Sequence, residues 1–433
     1  MLTAFLRAFR TPDLRRKLLF TLAIMAVFRL GSFIPTPGIS YPSVRKCVDG
    51  SAANGGLALI NLFSGGALLQ LSIFALGIMP YITASIIIQL LTVVIPRFEE
   101  LKSDQAGTSK LTQYTRYLTI GLAILQSTTL VTLARTPSNI FGASCSETLI
   151  PDDSIVTILL MIITMTAGTG LIMWLGELVT ERGVGNGMSL LIFTSITAGF
   201  PTSIWSIKQQ HSLDMMLVVI ALGLLVMAAV VFVEQSQRRI PVQYAKRLIG
   251  RKMYGGTSTY IPIKVNTAGV IPIIFASSLL YLPALVAQFQ HNSTAAWVRW
   301  IETTLVKGDH PVYMAAYFLL IIFFTYFYVS ITFNPDEVAD NMKQYGGFIP
   351  GIRAGRPTAE YLDYVLTRIT LPGSLYLGVV SLIPLVAFAL LNANTAQFPF
   401  GGTSILIMVG VGLETVKQIE SQLQQRHYEG FLR

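Results

Sequence analysis

Ten apolar runs of bilayer-crossing length punctuate this chain and constrain its fold more than any other feature. A helix needs about 20 predominantly apolar residues to cross the hydrocarbon core. Such runs lie near 18–34, 71–95, 114–134, 154–175, 188–205, 214–233, 267–289, 312–333, 372–391 and 402–420. Gly199 and Pro201 interrupt the fifth, and Glu414 and Lys417 make the end of the tenth amphipathic. Of 433 residues, 52% are hydrophobic and only 12% charged, where a soluble domain carries about a quarter charged. So few charges cannot cover a water-facing surface, and lipid is the expected solvent for much of the chain.

The first run follows Arg7, Arg10, Arg15, Arg16 and Lys17, as in a signal peptide. It contains Arg29, however, and leads into Pro35-Thr36-Pro37-Gly38 rather than a small-residue cleavage site. A retained first helix is expected, with Arg29 near enough to its outer end to snorkel to the interface. Ten spans put both termini on one side. With the termini inside, 24 of the 31 Lys and Arg residues fall on the cytoplasmic side and 6 outside, Arg29 lying within a span. That is the positive-inside pattern. Five helices per half, the first starting inside and the sixth outside, imply two inverted halves, 1–213 and 214–433, with a site or pathway between them.

Residues 57–95 form one apolar stretch of 39 residues, about 58 Å as straight helix. Ser64-Gly65-Gly66 breaks it after a piece too short to span. Non-helical backbone at membrane depth is tolerated only where protein or a wet cavity surrounds it. A re-entrant half-helix is therefore expected, the alternative being a helix lying in the interface.

Two long loops, 234–266 and 334–371, face the cytoplasm in this topology. The first alternates apolar residues with Arg238, Arg239, Lys246, Arg247, Arg251 and Lys252 before Gly255-Gly256, which suits a hairpin finger. A basic finger fits RNA phosphate or an acidic protein face, and a loop merely held to the lipid surface is the alternative.

The spans are nearly free of central charge, which weighs against a secondary transporter with inverted repeats. Their central polar groups are mainly Gln126 and Asn266, the residue types that join helices. No HExxH, CxxC or Walker-type motif is present, so no metal, nucleotide or other cofactor is expected, and no enzymatic activity. Gly183, Gly185 and Gly187 follow a helix rather than a strand and read as a tight turn. Cys47 and Cys145 are the two cysteines. Both fall in outer loops and are expected as unpaired thiols, with a single bridge between them left open.

Several segments resemble the SecY family, which includes the alpha subunit of the endoplasmic-reticulum translocon. They are NLFSGGAL at 61–68, FALGIMPYITASIIIQLL at 74–91, QYTRY at 113–117 and MWLGELVTERGVGNGMSLLIF at 173–193. QRRIPVQYAKR at 237–247, KVNTAGVIPIIFASS at 264–278, FIPGIRAGRPTAEYL at 348–362 and FGGTSILI at 400–407 continue them in family order. They look like the bacterial branch.

The resemblance implies an all-α integral membrane protein with ten transmembrane helices, a re-entrant plug helix and a central hourglass pore. The implied function is a channel subunit of the Sec translocase that conducts unfolded polypeptides across the bacterial cytoplasmic membrane. Transmembrane segments would leave sideways into lipid. Carried over, the pore ring falls on Ile82, Ile86, Ile192, Ile196, Ile274 and Ile407. Without the resemblance these read as lipid-facing or core. The plug falls on 57–68, including Leu62, Phe63, Ser64, Gly65 and Gly66, and the lateral gate is expected near Gln126 and Asn266. Arg353 in GIRAG matches a family arginine that couples to the cytoplasmic motor or ribosome, although Ala354 replaces the Pro of many bacterial relatives. The implied partners are SecE, SecG, the SecA ATPase, the ribosome, signal sequences and nascent chains.

Overall fold

The computed structural model describes residues 9, 11–50, 64–68, 70–103, 105–135, 148–152, 154–210, 213–244, 247–249, 252–254, 258–289, 300–301, 304–305, 310–391 and 402–431. Helices dominate. In the first half they are α1 (Pro12–Gly31), α2 (Tyr41–Gly50), α3 (Met79–Val94), α4 (Pro96–Ser103), α5 (Gln105–Arg135), α6 (Ile155–Arg182) and α7 (Gly187–Gln210). The second half carries α8 (Leu213–Gln235), α9 (Ile271–Phe289), α10 (Pro311–Thr332), α11 (Pro335–Gln344), α12 (Arg356–Leu391) and α13 (Gly402–Phe431). Each apolar run of the sequence overlaps one of these helices. Among the described residues, four stretches are long and apolar enough to cross a membrane: Gly107–Arg135, Ile155–Arg182, Pro311–Gln344 and Arg356–Ile383.

Local chemistry sets several boundaries. Pro12, Pro80, Pro311 and Pro335 sit in the first turns of α1, α3, α10 and α11, where a missing N–H costs nothing. The side chains of Ser154 and Asn334 accept backbone N–H groups at the starts of α6 and α11. The expected helix over 71–95 begins only at Met79. Residues 70–78 run as turns, with Leu71 at φ 47° and an isolated bridge between Pro35 and Ser72. This non-helical stretch is largely buried. The α6 backbone comes so close to it that a Cβ on Gly168 would strike the Ile73 carbonyl oxygen.

The halves meet where α7 packs on α8 and α13, and where α9 packs on α3 and α5. One large apolar cluster runs through that junction, from Ile24 and Phe28 to Ile407 and Val411.

The long loops depart from an all-α reading. β1 (Gln237–Tyr244) pairs antiparallel with β4 (Ser258–Lys264), Ile240 opposite Ile261. β2 (Arg247–Ile249) and β3 (Lys252–Tyr254) form a smaller hairpin. β5 (Gly347–Phe348), from the other long loop, adds to the free edge of β1, giving the order β4-β1-β5. The cause is the two-residue alternation that the sequence shows: Ile240 and Val242 turn inward while Arg239 and Pro241 face out. Their inner face joins Ile349 and Leu362 in a cluster that fuses the two loops into one body.

The cysteines also differ from expectation. Cys47 is disulfide-bonded, and the chain's other cysteine, Cys145, lies outside the described residues. The physical reason is convergence of the segment after α1 with the segment before α6. Ser40 N–H donates to the Leu149 carbonyl at 2.9 Å, and Cys47 is buried in a cluster with Val44, Leu71 and Leu149.

Candidate functional site

The six isoleucines come from four helices. Ile82 and Ile86 lie one turn apart on α3, and Ile192 and Ile196 do so on α7, so each pair shares a helix face. Ile274 is in the first turn of α9 and Ile407 in the first half of α13. All are buried, none more than 9% exposed, and all belong to the cluster at the junction of the halves. Sequence spacing alone could join only members of the same helix; the fold brings all six into one cluster.

A cavity of about 390 Å³ opens on this cluster, and Ile82, Ile192 and Ile274 contribute to its wall. Its polar lining includes Ser85 and Gln89 of α3, Thr112 and Arg116 of α5, and Glu177, Thr180 and Glu181 of α6. Arg116 holds Glu177 with two hydrogen bonds, Nε to Oε1 at 2.9 Å and Nη2 to Oε2 at 2.7 Å. This fork ties α5 to α6 at the rim. Both residues lie within the family-like motifs at 113–117 and 173–193, where no local pattern marks them as partners. The turn between α6 and α7 aims the α7 isoleucines: Gly187 N–H donates to Thr180 Oγ1 at 2.9 Å, and Asn186 Oδ1 accepts from Met188 N–H at 3.1 Å. The three glycines there form a tight turn, Gly185 at φ 87°.

Of the residues expected in the plug, Leu62 and Phe63 lie outside the described residues. Ser64, Gly65 and Gly66 form a turn in which Ser64 Oγ accepts from Leu68 N–H at 3.1 Å. Gly65 has φ 66°, and a Cβ there would lie 3.2 Å from Ser195 Cα, next to Ile196 in the chain. The Gly65 carbonyl accepts a 2.6 Å hydrogen bond from Arg29 Nη1. Arg29 therefore turns inward, not to the outer interface.

Gln126 is buried on α5, the helix that meets α9. Asn266 is engaged elsewhere: its Nδ2 donates to Glu234 Oε1 at 2.6 Å and to the Gly269 carbonyl at 3.1 Å. Glu234, in the last turn of α8 beyond the apolar run, is a buried acidic side chain that no motif of the sequence marks. Burial pushes its pKa up, opposed by the Asn266 hydrogen bond and by Lys264 and Lys417.

Arg238 and Arg239 are exposed on β1, and the Arg239 guanidinium stacks 4.8 Å from the Tyr260 ring centre. Arg247 and Lys252 lie on β2 and β3, and Lys246 and Arg251 fall outside the described residues. Arg353 is exposed in the loop after β5; its carbonyl accepts from Thr358 Oγ1 at 2.8 Å. Because β5 pairs with β1, Arg353 and the arginines of β1 belong to the same small body.

The family model for SecY matches residues 72–416. The protein translocase subunit SecY of Streptomyces galbus is 67% identical over 439 residues, covering 100% of both chains. Among solved structures, one described as a protein-conducting channel aligns with a TM-score of 0.65 at 18% identity, covering 94% of this chain and 91% of the other. Sec61 of the canine ribosome–channel complex from the endoplasmic reticulum aligns with a TM-score of 0.61 at 17% identity, with the same coverages. At these identities the structural likeness carries the fold.

Proposed function

The chain belongs to the SecY family, and we propose how its residues divide the labour of a protein-conducting channel. It is a multi-pass membrane protein and the channel subunit of a protein translocase, not an enzyme. In our reading ten helices span the bacterial cytoplasmic membrane, with both termini cytoplasmic. They form two inverted halves, 1–213 and 214–433, around an hourglass pore.

Ile82, Ile86, Ile192, Ile196, Ile274 and Ile407 form the constriction. The observation that carries this assignment is that six isoleucines from both halves share one buried cluster at the wall of a cavity. Branched aliphatic groups hold neither water nor ions, so such a ring seals by dewetting and deforms around a passing chain. Segment 57–68 is the plug, supported by the Ser64–Leu68 turn lying against Ser195. The contacts of α9 with α3 and α5 support a lateral gate there, with Gln126 on one of its helices. Asn266 stands just before α9, anchored to Glu234.

The two-loop body carrying Arg238, Arg239, Arg247, Lys252 and Arg353, together with Lys246 and Arg251, is the docking face for SecA and the ribosome. SecE and SecG are the membrane partners, and energy comes from the motor or from translation. The test is co-purification in mild detergent followed by reconstitution. A small helical SecE-like subunit in near-equal amount, and export of a signal-bearing precursor driven by SecA, are expected. Saturable small-solute uptake without such a subunit overturns the reading in favour of a transporter.

A further inference from the structure

Arg29 is the ionisable residue of the first apolar run, and its environment is unusual for a cation. It is half-buried, and its Nη1 donates to the Gly65 carbonyl across 36 residues at 2.6 Å. Its guanidinium also lies 4.7 Å from the centre of the Phe33 ring. Among the described residues no ion pair engages it. A cation inside a membrane-spanning helix is expensive unless it has a specific task.

Three features make the contact specific. Gly65 is left-handed at φ 66°, a backbone state that glycine adopts without strain. A Cβ there would meet Arg29 Nη1 at 3.0 Å and Ser195 Cα at 3.2 Å, so the arginine, the turn and α7 close on the same point. The following residues are tied to the same partner segment by groups that do not involve Arg29. Thr36 Oγ1 donates to the Leu71 carbonyl at 2.8 Å, and Ile73 N–H donates to the Ile34 carbonyl at 2.9 Å. Residues 71–73 are thus fixed by the exit from α1, while Arg29 holds the Gly65 turn itself.

We propose that Arg29 is a latch: its charge-assisted hydrogen bond to the Gly65 carbonyl holds the plug turn against α7 in the closed channel. The acceptor is a neutral carbonyl, so release leaves no carboxylate buried. Arg29 lies within a turn of the end of α1, close enough to the outer interface to snorkel there once freed. The latch therefore has two positions, inward on Gly65 and outward at the interface. It is a positioning residue that acts through the plug, and the inference rests on reading 57–68 as the plug.

The experiment is resting ion conductance in planar bilayers for the full channel complex carrying Arg29→Gln, Arg29→Lys, deletion of 57–68, or the deletion combined with Arg29→Gln. Arg29→Gln is expected to raise resting conductance about tenfold, the population shift for losing one charge-assisted hydrogen bond. Arg29→Lys keeps a cationic donor and is expected to leak less. In the deletion background Arg29→Gln is expected to add nothing. A tight Arg29→Gln channel alongside a leaky deletion overturns the latch and leaves the plug. Equal leak from Gln and Lys, or extra leak from Arg29→Gln in the deletion background, also overturns it. A tight deletion channel overturns the plug reading and the latch together.

Discussion

The Asn266 side-chain amide donates 2.6 Å to a carboxylate oxygen of Glu234, joining the residues before α9 to the end of α8. Both side chains are buried. Glu234 has its pKa raised by burial, and the Asn266 hydrogen bond opposes that shift. A raised carboxyl pKa binds protons more tightly in the folded state. The resulting stabilisation is fully present below the ordinary value of 4.5 and is lost as pH rises through the folded-state pKa.

Asn266→Leu is therefore predicted to cost about 1–3 kcal/mol where Glu234 is ionised, because the carboxylate then loses its donor. The cost should shrink as pH falls and Glu234 takes up its proton. In a Glu234→Gln background the Asn266→Leu penalty should no longer depend on pH. Thermal unfolding in detergent at pH 5 and pH 8 checks it; equal penalties for Asn266→Leu at both would show that the carboxylate is not the group involved.

The proposed isoleucine ring predicts opposite outcomes for two substitutions. Ile407 is almost fully buried, and full burial of such a side chain is worth about 1.5–3 kcal/mol. Ile407→Asn places an amide where water is excluded, so the channel should conduct ions at rest and export precursors with defective signal sequences. Ile407→Leu keeps the site apolar and should do neither. Bilayer conductance and a signal-defective export reporter measure both. Equal behaviour of the two variants would return Ile407 to ordinary helix packing.

Arg353 is exposed on the body that also carries Arg238 and Arg239. Its side chain is predicted to serve a partner, not the fold. Arg353→Glu should leave membrane levels and thermal stability within about 0.5 kcal/mol of wild type. SecA-driven export in reconstituted vesicles should fall at least about tenfold, as expected for reversing a charge that faces an acidic partner. Normal export by the variant would remove Arg353 from the docking face.

Cys47 is buried and disulfide-bonded. Cys47→Ser should destabilise the protein by about 2–4 kcal/mol. Differential alkylation before and after reduction reads the bond directly. Labelling of Cys47 in the unreduced protein would contradict the pairing.

Much was legible from one-dimensional patterns. Helix positions follow apolar run length, and the strands of the long loop follow the alternation around Ile240 and Val242. The late start of α3 was harder to see, because Leu71 to Ile78 is as apolar as a helix. What diverts it is backbone pairing with residues 34–36 and close approach to Gly168. Arg29 suffered the same limit: its distance from the helix end suggested snorkelling, and only Gly65 could reveal an inward partner.

Hydropathy and charge asymmetry are sums over neighbours in the chain, so the sequence by itself determined that this is a helical membrane protein with one strongly basic long loop. The resemblance of its motifs added the family. The tertiary structure decided which distant residues meet: Arg29 with Gly65, Arg116 with Glu177 across 61 positions, Asn266 with Glu234 across 32, and β5 with β1. These contacts depend on how helices from separate parts of the chain pack, and no local pattern encodes the partner. The six isoleucines show both levels. Their burial is predictable from side-chain chemistry, but their convergence on one cluster exists only because α3, α7, α9 and α13 close around it.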